Sequence, residues 1–449
     1  MIMAREGRIG KLNRQDWPGF LNRMVPARVW QAFNRQVGVR PDPRTRWSAK
    51  YVVLCWVVIG WSIQKQLTRR FQEGCELLAR LFSDRRRCGE SYQGLTQATC
   101  RVGIRAPHQF WCCLRPTIPK RLGRIWLWYG WAVMAIDGSR VEAPRTRANQ
   151  RVLKRAGRKK TGPQWWVTWA IHLPSDLVWD WRCGPGNSSE RAHFRSMLAD
   201  LPVSTLVVAD SGFGGFDLLN QLCRKKVDFL IRCTGHTTLL VEGTRQVIER
   251  QGGCQYVYLW PQNRRRRQPL RLRLIVLKRR GQRVYLLTQV MDTHRLSRPM
   301  AQEFYAARWD VEVEYRGLKQ TLGRRRVLAQ SPGPGAMELA GNILAMALLM
   351  LHGALILGAK AARLSVAAAL RVIRDVIEAI RHRESTRQWR QDMRAALVDE
   401  YERHRSKRAR DYPAKKKESP PGPPQLRRPT RREKLRIHAS FMQYEVQLT

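Results

Sequence analysis

Two short runs constrain the fold of this chain more than any other feature: WAVMAID, ending at Asp137, and STLVVAD, ending at Asp210. Each is too short for a helix and too continuously apolar to keep one face in water, which is the pattern of a buried strand. Each closes on an aspartate followed by small residues, Gly138-Ser139 in one and Ser211-Gly212 in the other. Small residues let the backbone turn sharply and leave the carboxylate open at a strand terminus, where α/β proteins place their sites. For either aspartate alone, capping a turn is the ordinary reading.

The rest of the chain organises around these strands. Residues 1–125 read as helical, with apolar spacing in segments such as AKYVVLCWVVIGWSI and LTRRFQEGCELLARLF. Over 126–234 strands take over: WWVTWAIHL and LVWDW, split by Pro174, Ser175 and Asp176, read as a hairpin. SSERAHFRSMLADL then reads as a helix with Glu190 in its first turn. Residues 235–300 are β-like and highly basic, and 301–400 return to helix. The Pro-rich, basic stretch 401–449 is expected to be a disordered, polyanion-seeking tail.

Lysine and arginine total 83 against 35 acids, a formal net charge of +48 spread from end to end. Self-repulsion of this size is best tolerated when a polyanion neutralises it, and nucleic acid is the foremost candidate. With 43% hydrophobic residues and 17 tryptophans, the chain can still bury a core, which sets aside a disordered basic protein. Ten scattered cysteines without a CxxC pair suit reduced thiols in a cytosol, and neither a disulfide framework nor a zinc module. The opening MIMAREGRIGKLNRQDW has no apolar run of a secretory signal, so a cytoplasmic location is expected. LAGNILAMALLMLHGALILGA, 339–359, is long enough to span a bilayer. It contains Asn342 and His352 and lacks a spanning partner, so it is read as a buried core helix.

Ahead of that helix lies YAARWDVEVEYRGLKQTLG, 305–323. Read as one helix at about 100° per residue, Tyr305, Arg308, Glu312 and Lys319 share a polar stripe. It borders an apolar face of Phe304, Val311, Tyr315, Leu318 and Leu322. An i,i+4 pair such as Arg308 and Glu312 commonly just decorates a solvated helix. With Asp310 and Glu314 pointing away from the stripe, however, Glu312 is expected at the edge of the core. Asp137, Asp210 and Glu312 then make three hard oxygen ligands with few histidines nearby, suited to Mg²⁺ or Mn²⁺ and not to zinc. Two such ions can activate a water or hydroxyl and stabilise the leaving oxygen of a phosphodiester. Arg308 and Lys319 would serve as phosphate ligands.

The pattern Tyr305, Arg308, Glu312, Lys319 resembles the tyrosine–arginine–glutamate–lysine signature of bacterial insertion-sequence transposases of the DDE type. RWDVEVEYRGLKQTLG is similar to their RW-x-I-E segment, and DGSRVEAPRTRANQ and LVVADSGF resemble their first and second aspartate motifs. The resemblance runs over 45–360. It implies an α/β fold with a ribonuclease H-like catalytic core, interrupted by the β-rich insertion at 235–300 and joined to helical N- and C-terminal regions. It further implies that Asp137, Asp210 and Glu312 bind two Mg²⁺ ions, for which Mn²⁺ can substitute. Tyr305, Arg308 and Lys319 would hold phosphates at the transposon end, and 1–125 would be a DNA-binding region. The implied partners are double-stranded DNA, both element ends and target, and a second copy of the chain when two ends are synapsed; no membrane is implied. The implied location is the nucleoid of a bacterial cytoplasm. One departure is the strongly basic RVLKRAGRKK between Asp137 and the hairpin.

The leading expectation is an enzyme that cuts the phosphodiester at each element end and joins the freed 3′-hydroxyl to target DNA. Two other readings stay open: a catalytically silent DNA-binding protein derived from such an enzyme, and a plain metal-dependent nuclease. All three acids and the whole stripe are intact, which favours activity. Trp165, Trp166, Trp169, Trp179 and Trp181 are expected to pack the hairpin. Trp260, in the basic insertion, is the one tryptophan to consider for contact with DNA, and Arg264 to Arg267 read most simply as a loop touching phosphates, with no base reading implied.

Overall fold

The computed structural model describes residues 16–38, 45–82, 88–154, 162–261, 267–279, 282–398 and 422–445. Contacts divide the chain into two units: Met1–Trp128 with Gly138–His193 and Asp310–Val398, and Tyr129–Asp137 with Phe194–Trp309 and Asp399–Thr449. The strands are β1 (Ala132–Glu142), β2 (Gln164–His172), β3 (Leu177–Pro185), β4 (Thr205–Ala209) and β5 (Asp228–Cys233). They continue with β6 (Thr238–Leu240), β7 (Gly253–Leu259), β8 (Leu270–Arg279), β9 (Gln282–Thr288) and β10 (Gln425–Arg427).

In the first unit, the N-terminal helices share a core with the helices after 310 and do not stand as a separate 1–125 region. The helix Ala49–Trp61, capped by Ser48 Oγ accepting from the Tyr51 amide at 3.3 Å, is buried on nearly every side. It crosses the helix Pro332–Leu357 where small residues permit close approach. A Cβ on Gly60 would come within 2.5 Å of Ala345 Cβ, and one on Gly341 within 2.8 Å of Trp56 Cβ. Trp61 Nε1 donates to the Ala345 carbonyl at 2.8 Å across that crossing. The last carbonyls of Ala49–Trp61 would otherwise lack partners. Arg324 donates to those of Ile59, Gly60 and Ser62 at 3.0, 3.0 and 2.6 Å. The apolar segment is the core helix expected of it: 89% of its most apolar window is buried inside the protein.

The hairpin β2–β3 belongs to the same unit, with Trp169 opposite Trp181. Trp165, Trp169, Trp179 and Trp181 are buried, and Trp169 stacks on Tyr315 at 4.2 Å, so these tryptophans pack as expected. Fully buried Asp180 ties the hairpin to the helix Ala106–Leu114 region through His108 at 2.7 Å, Arg115 at 2.9 Å and Arg182 at 2.8 Å. Burial alone would raise its carboxyl, but the His108 hydrogen bond and the two guanidinium groups hold it at about 2.

The second unit is built on the strand order β10-β6-β7-β8-β9-β5-β4-β1. β1, β4 and β5 are parallel and buried, as their apolar runs predicted. β9 then joins β5 antiparallel, and β8, β7 and β6 come after it. The basic 235–300 stretch is therefore β-rich, as expected, but it extends the same sheet. One expectation is corrected at the C-terminus. β10 adds to the sheet edge parallel to β6, Gln425 opposite Thr238, and the helix Arg431–Glu445 comes next. Leu426 and Ile437 give this basic segment something to bury, and Arg427 pairs twice with Glu433 at 2.8 and 2.6 Å. The parts of the expected tail at 401–421 and 446–449 lie outside the described residues.

Candidate active site

Asp137 and Asp210 sit at the same level of neighbouring parallel strands, because the residues before them, Ile136 and Ala209, are register partners. Adjacent strands lie about 4.8 Å apart, so both carboxylates start from adjoining positions: Asp210 just past the carboxyl end of β4, and Asp137 midway along β1, which runs on to Glu142 instead of ending at the acid. Both aspartates are half-buried. One Asp210 oxygen accepts from the Gly212 amide at 2.8 Å. The turn-capping role that each aspartate could have had by itself is therefore real for Asp210, and it fixes the orientation of the carboxylate.

From Gly138 onward β1 belongs to the first unit. Lys319 Nζ donates to Ser139 Oγ, which fixes the lysine two residues beyond the first aspartate. The Glu190 side chain covers Gly138: a Cβ on this glycine would come within 2.7 Å of Glu190 Cδ. The sequence showed Glu190 only as a first-turn residue of its helix. The one sequence signal for the contact was the small residue after Asp137.

The single helix expected over 305–323 is broken. Arg298–Ala307 ends at a turn at Arg308 and Trp309, Asp310–Arg316 forms a second helix, and Gly317–Thr321 is a π-helical turn. Each break shifts the angular phase, so the polar stripe does not survive as one surface. In the second unit, Tyr305 is buried and Arg308 is only 6% exposed. The Arg308 guanidinium lies 5.6 Å from the Tyr305 ring centroid and 4.9 Å from that of Trp309, and its Nε is buried without a partner. In the first unit, Glu312 is exposed and Lys319 half-buried.

The carboxylate at the core edge is Glu314, not Glu312. Glu314 is 4% exposed because it lies one turn from Val311 and Leu318 and so shares their buried face. Burial, reinforced by Asp176 and Asp310, raises the Glu314 carboxyl well above its ordinary value. Burial and then Asp310 do the same to Asp176. The apolar face itself, Phe304, Val311, Tyr315, Leu318 and Leu322, is buried as expected.

Among the described residues, no three His, Cys, Asp or Glu side chains are grouped so as to hold a metal ion. Asp137 and Asp210 are brought together; Glu312, on the other unit, is not grouped with them. Two hard oxygen donors without thiol or imidazole suit Mg²⁺ or Mn²⁺ and not zinc. Trp260 is half-buried with its indole nitrogen enclosed. Of the arginine run, Arg264 to Arg266 lie outside the described residues, and Arg267 pairs with Asp217 at 2.6 Å.

Residues 129–349, which contain both aspartates and the interrupted stripe, match the family model of the transposase DDE domain. Over 232 residues the chain is 26% identical to the transposase InsG for insertion sequence element IS4 of Escherichia coli (strain K12), covering 47% of this chain and 49% of that protein. The chain thus spans about half the length of the curated relative it matches. Among solved structures, the synaptic complex of piggyBac transposase with hairpin DNA aligns over 88% of both chains, at a TM-score of 0.41 and 11% identity.

Proposed function

We propose that this chain is a DDE transposase with a ribonuclease H-like core, which cuts phosphodiester bonds at the ends of a mobile element and joins the 3′-hydroxyl to target DNA. The observation that carries the reading is the placement of Asp137 and Asp210 at adjoining positions of neighbouring parallel strands, inside the segment that matches the transposase domain. Asp137, Asp210 and Glu312 would hold two Mg²⁺ or Mn²⁺ ions. When bound, such ions activate the attacking oxygen and stabilise the leaving one. Lys319, oriented by Ser139, presents its ammonium to a backbone phosphate. Arg308 keeps hydrogen-bonding capacity at its unpartnered Nε for the same task, with Tyr305 packed beneath it. Double-stranded DNA is the substrate, and a second copy of the chain pairs the two ends.

A second reading, the catalytically silent DNA-binding derivative, keeps the charge and the fold without metal-dependent cutting. A plasmid carrying the gene with its own flanking DNA separates the readings. Mg²⁺-dependent excision and joining, lost in Asp210→Asn while DNA binding persists, is the expected result. Binding with no metal-dependent cutting establishes the silent reading, and cutting without joining establishes a nuclease.

A further inference from the structure

The first unit holds a cavity of about 500 Å³ walled by Glu142, Arg145, Gly162, Pro163, Gln164 and Arg326. Its frame is fixed by backbone: the Glu142 amide donates to the Arg325 carbonyl at 3.0 Å, Val327 to Glu142 at 2.9 Å, and Ala143 to Pro163 at 3.0 Å. Arg145 and Arg326 are exposed at its wall, and neither has a carboxylate partner among the described residues. Arg325 meets Glu142 at 3.4 Å, so the one acid of the wall is already matched. Gln164 Oε1 is buried without a hydrogen-bond partner. A buried, unsatisfied amide end costs free energy until something enters to meet it. Turning about its terminal bond, the same amide presents N–H donors into the cavity.

Two uncompensated guanidinium groups and a free amide make a donor set for a tetrahedral oxyanion. We propose that this cavity binds one backbone phosphate of the DNA substrate, held by Arg145 and Arg326 and completed by Gln164. The proposal rests on the transposase reading for the identity of the polyanion. One strand of duplex DNA carries a phosphate every 3.4 Å or so, so the cavity answers to a single backbone position.

The test is a walk of single neutral methylphosphonates along an end-containing duplex, read by binding affinity and by cleavage. Wild type is expected to lose about tenfold in affinity at one position of the walk, the size of a lost charge-assisted contact. Arg145→Ala and Arg326→Ala should each lose a similar factor on unmodified DNA, become indifferent to that one methylphosphonate, and show a salt slope shallower by about one. Both side chains are exposed, so these variants should fold, and Gln164→Glu, which places a carboxylate in the cavity, provides a second probe. Variants that keep the wild-type sensitivity at that position overturn the proposal, as does a wild type indifferent to every position. Absence of salt-dependent DNA binding by wild type would instead strike the transposase reading itself.

Discussion

At Gly138 the only substituent the surroundings accept without movement is hydrogen, because the Glu190 carboxyl group occupies the place of a Cβ. The obstructing atoms belong to a flexible, half-buried side chain that can swing away, so Gly138→Ala should cost about 1 kcal/mol or less in stability. Its consequence should fall on activity, since the displaced carboxylate sits beside the residue next to Asp137. We expect roughly tenfold slower cleavage in Gly138→Ala, and no further loss when Glu190→Ala is added, because one displacement has already occurred. A double-mutant cycle on cleavage rates checks this; additive losses would mean that the two residues act independently. The strand that closes on Asp210 was legible from the sequence because an apolar run ending in an acid is a local pattern, whereas the strand carrying Asp137 continues to Glu142. Glu190 was not legible, because its partner lies in another element and no local pattern records the contact.

At the scale of elements, the stripe at 305–319 shows where helical periodicity stops being informative. It presumes an unbroken helix, yet the chain turns at Arg308 and Trp309 and widens into a π-turn at Gly317. The apolar positions survived because core packing selects them whatever the phase; the polar positions did not. Burial of Glu314 near Asp176 makes a testable linkage. Both carboxyls have folded values raised above their unfolded ones, so the folded state holds protons that the unfolded chain releases. Their contribution is fully present below the ordinary carboxylate range and is lost as pH rises through the raised values. Glu314→Gln cannot ionise and can donate to Asp176. Its stability relative to wild type should therefore improve between pH 4 and neutrality, as urea unfolding at several pH values would report. An equal deficit at every pH would show that Glu314 is held by packing alone.

At the scale of the whole molecule, the division into units was hidden from the sequence, because 1–128 and 310–398, far apart in the chain, share one core, as at the crossing of two apolar helices. Composition, by contrast, speaks directly to the partner. A formal charge of +48 is distributed over core-forming segments as well as tails, so many of these cations must face solvent or a polyanion. Each phosphate neutralised releases condensed counterions, and log affinity falls linearly with log salt in proportion to their number. A chain of this charge should engage at least 6–10 phosphates and so lose about 10³–10⁵ in affinity between 50 and 200 mM salt. Fluorescence anisotropy of a labelled duplex across that range measures the slope. A slope near zero would mean that the charge is balanced by something other than DNA, and the assignment of Lys319 and Arg308 to phosphates would fall with it. A steep slope that is the same for unrelated sequences would locate the affinity in the backbone and leave end recognition to contacts beyond the aspartate site.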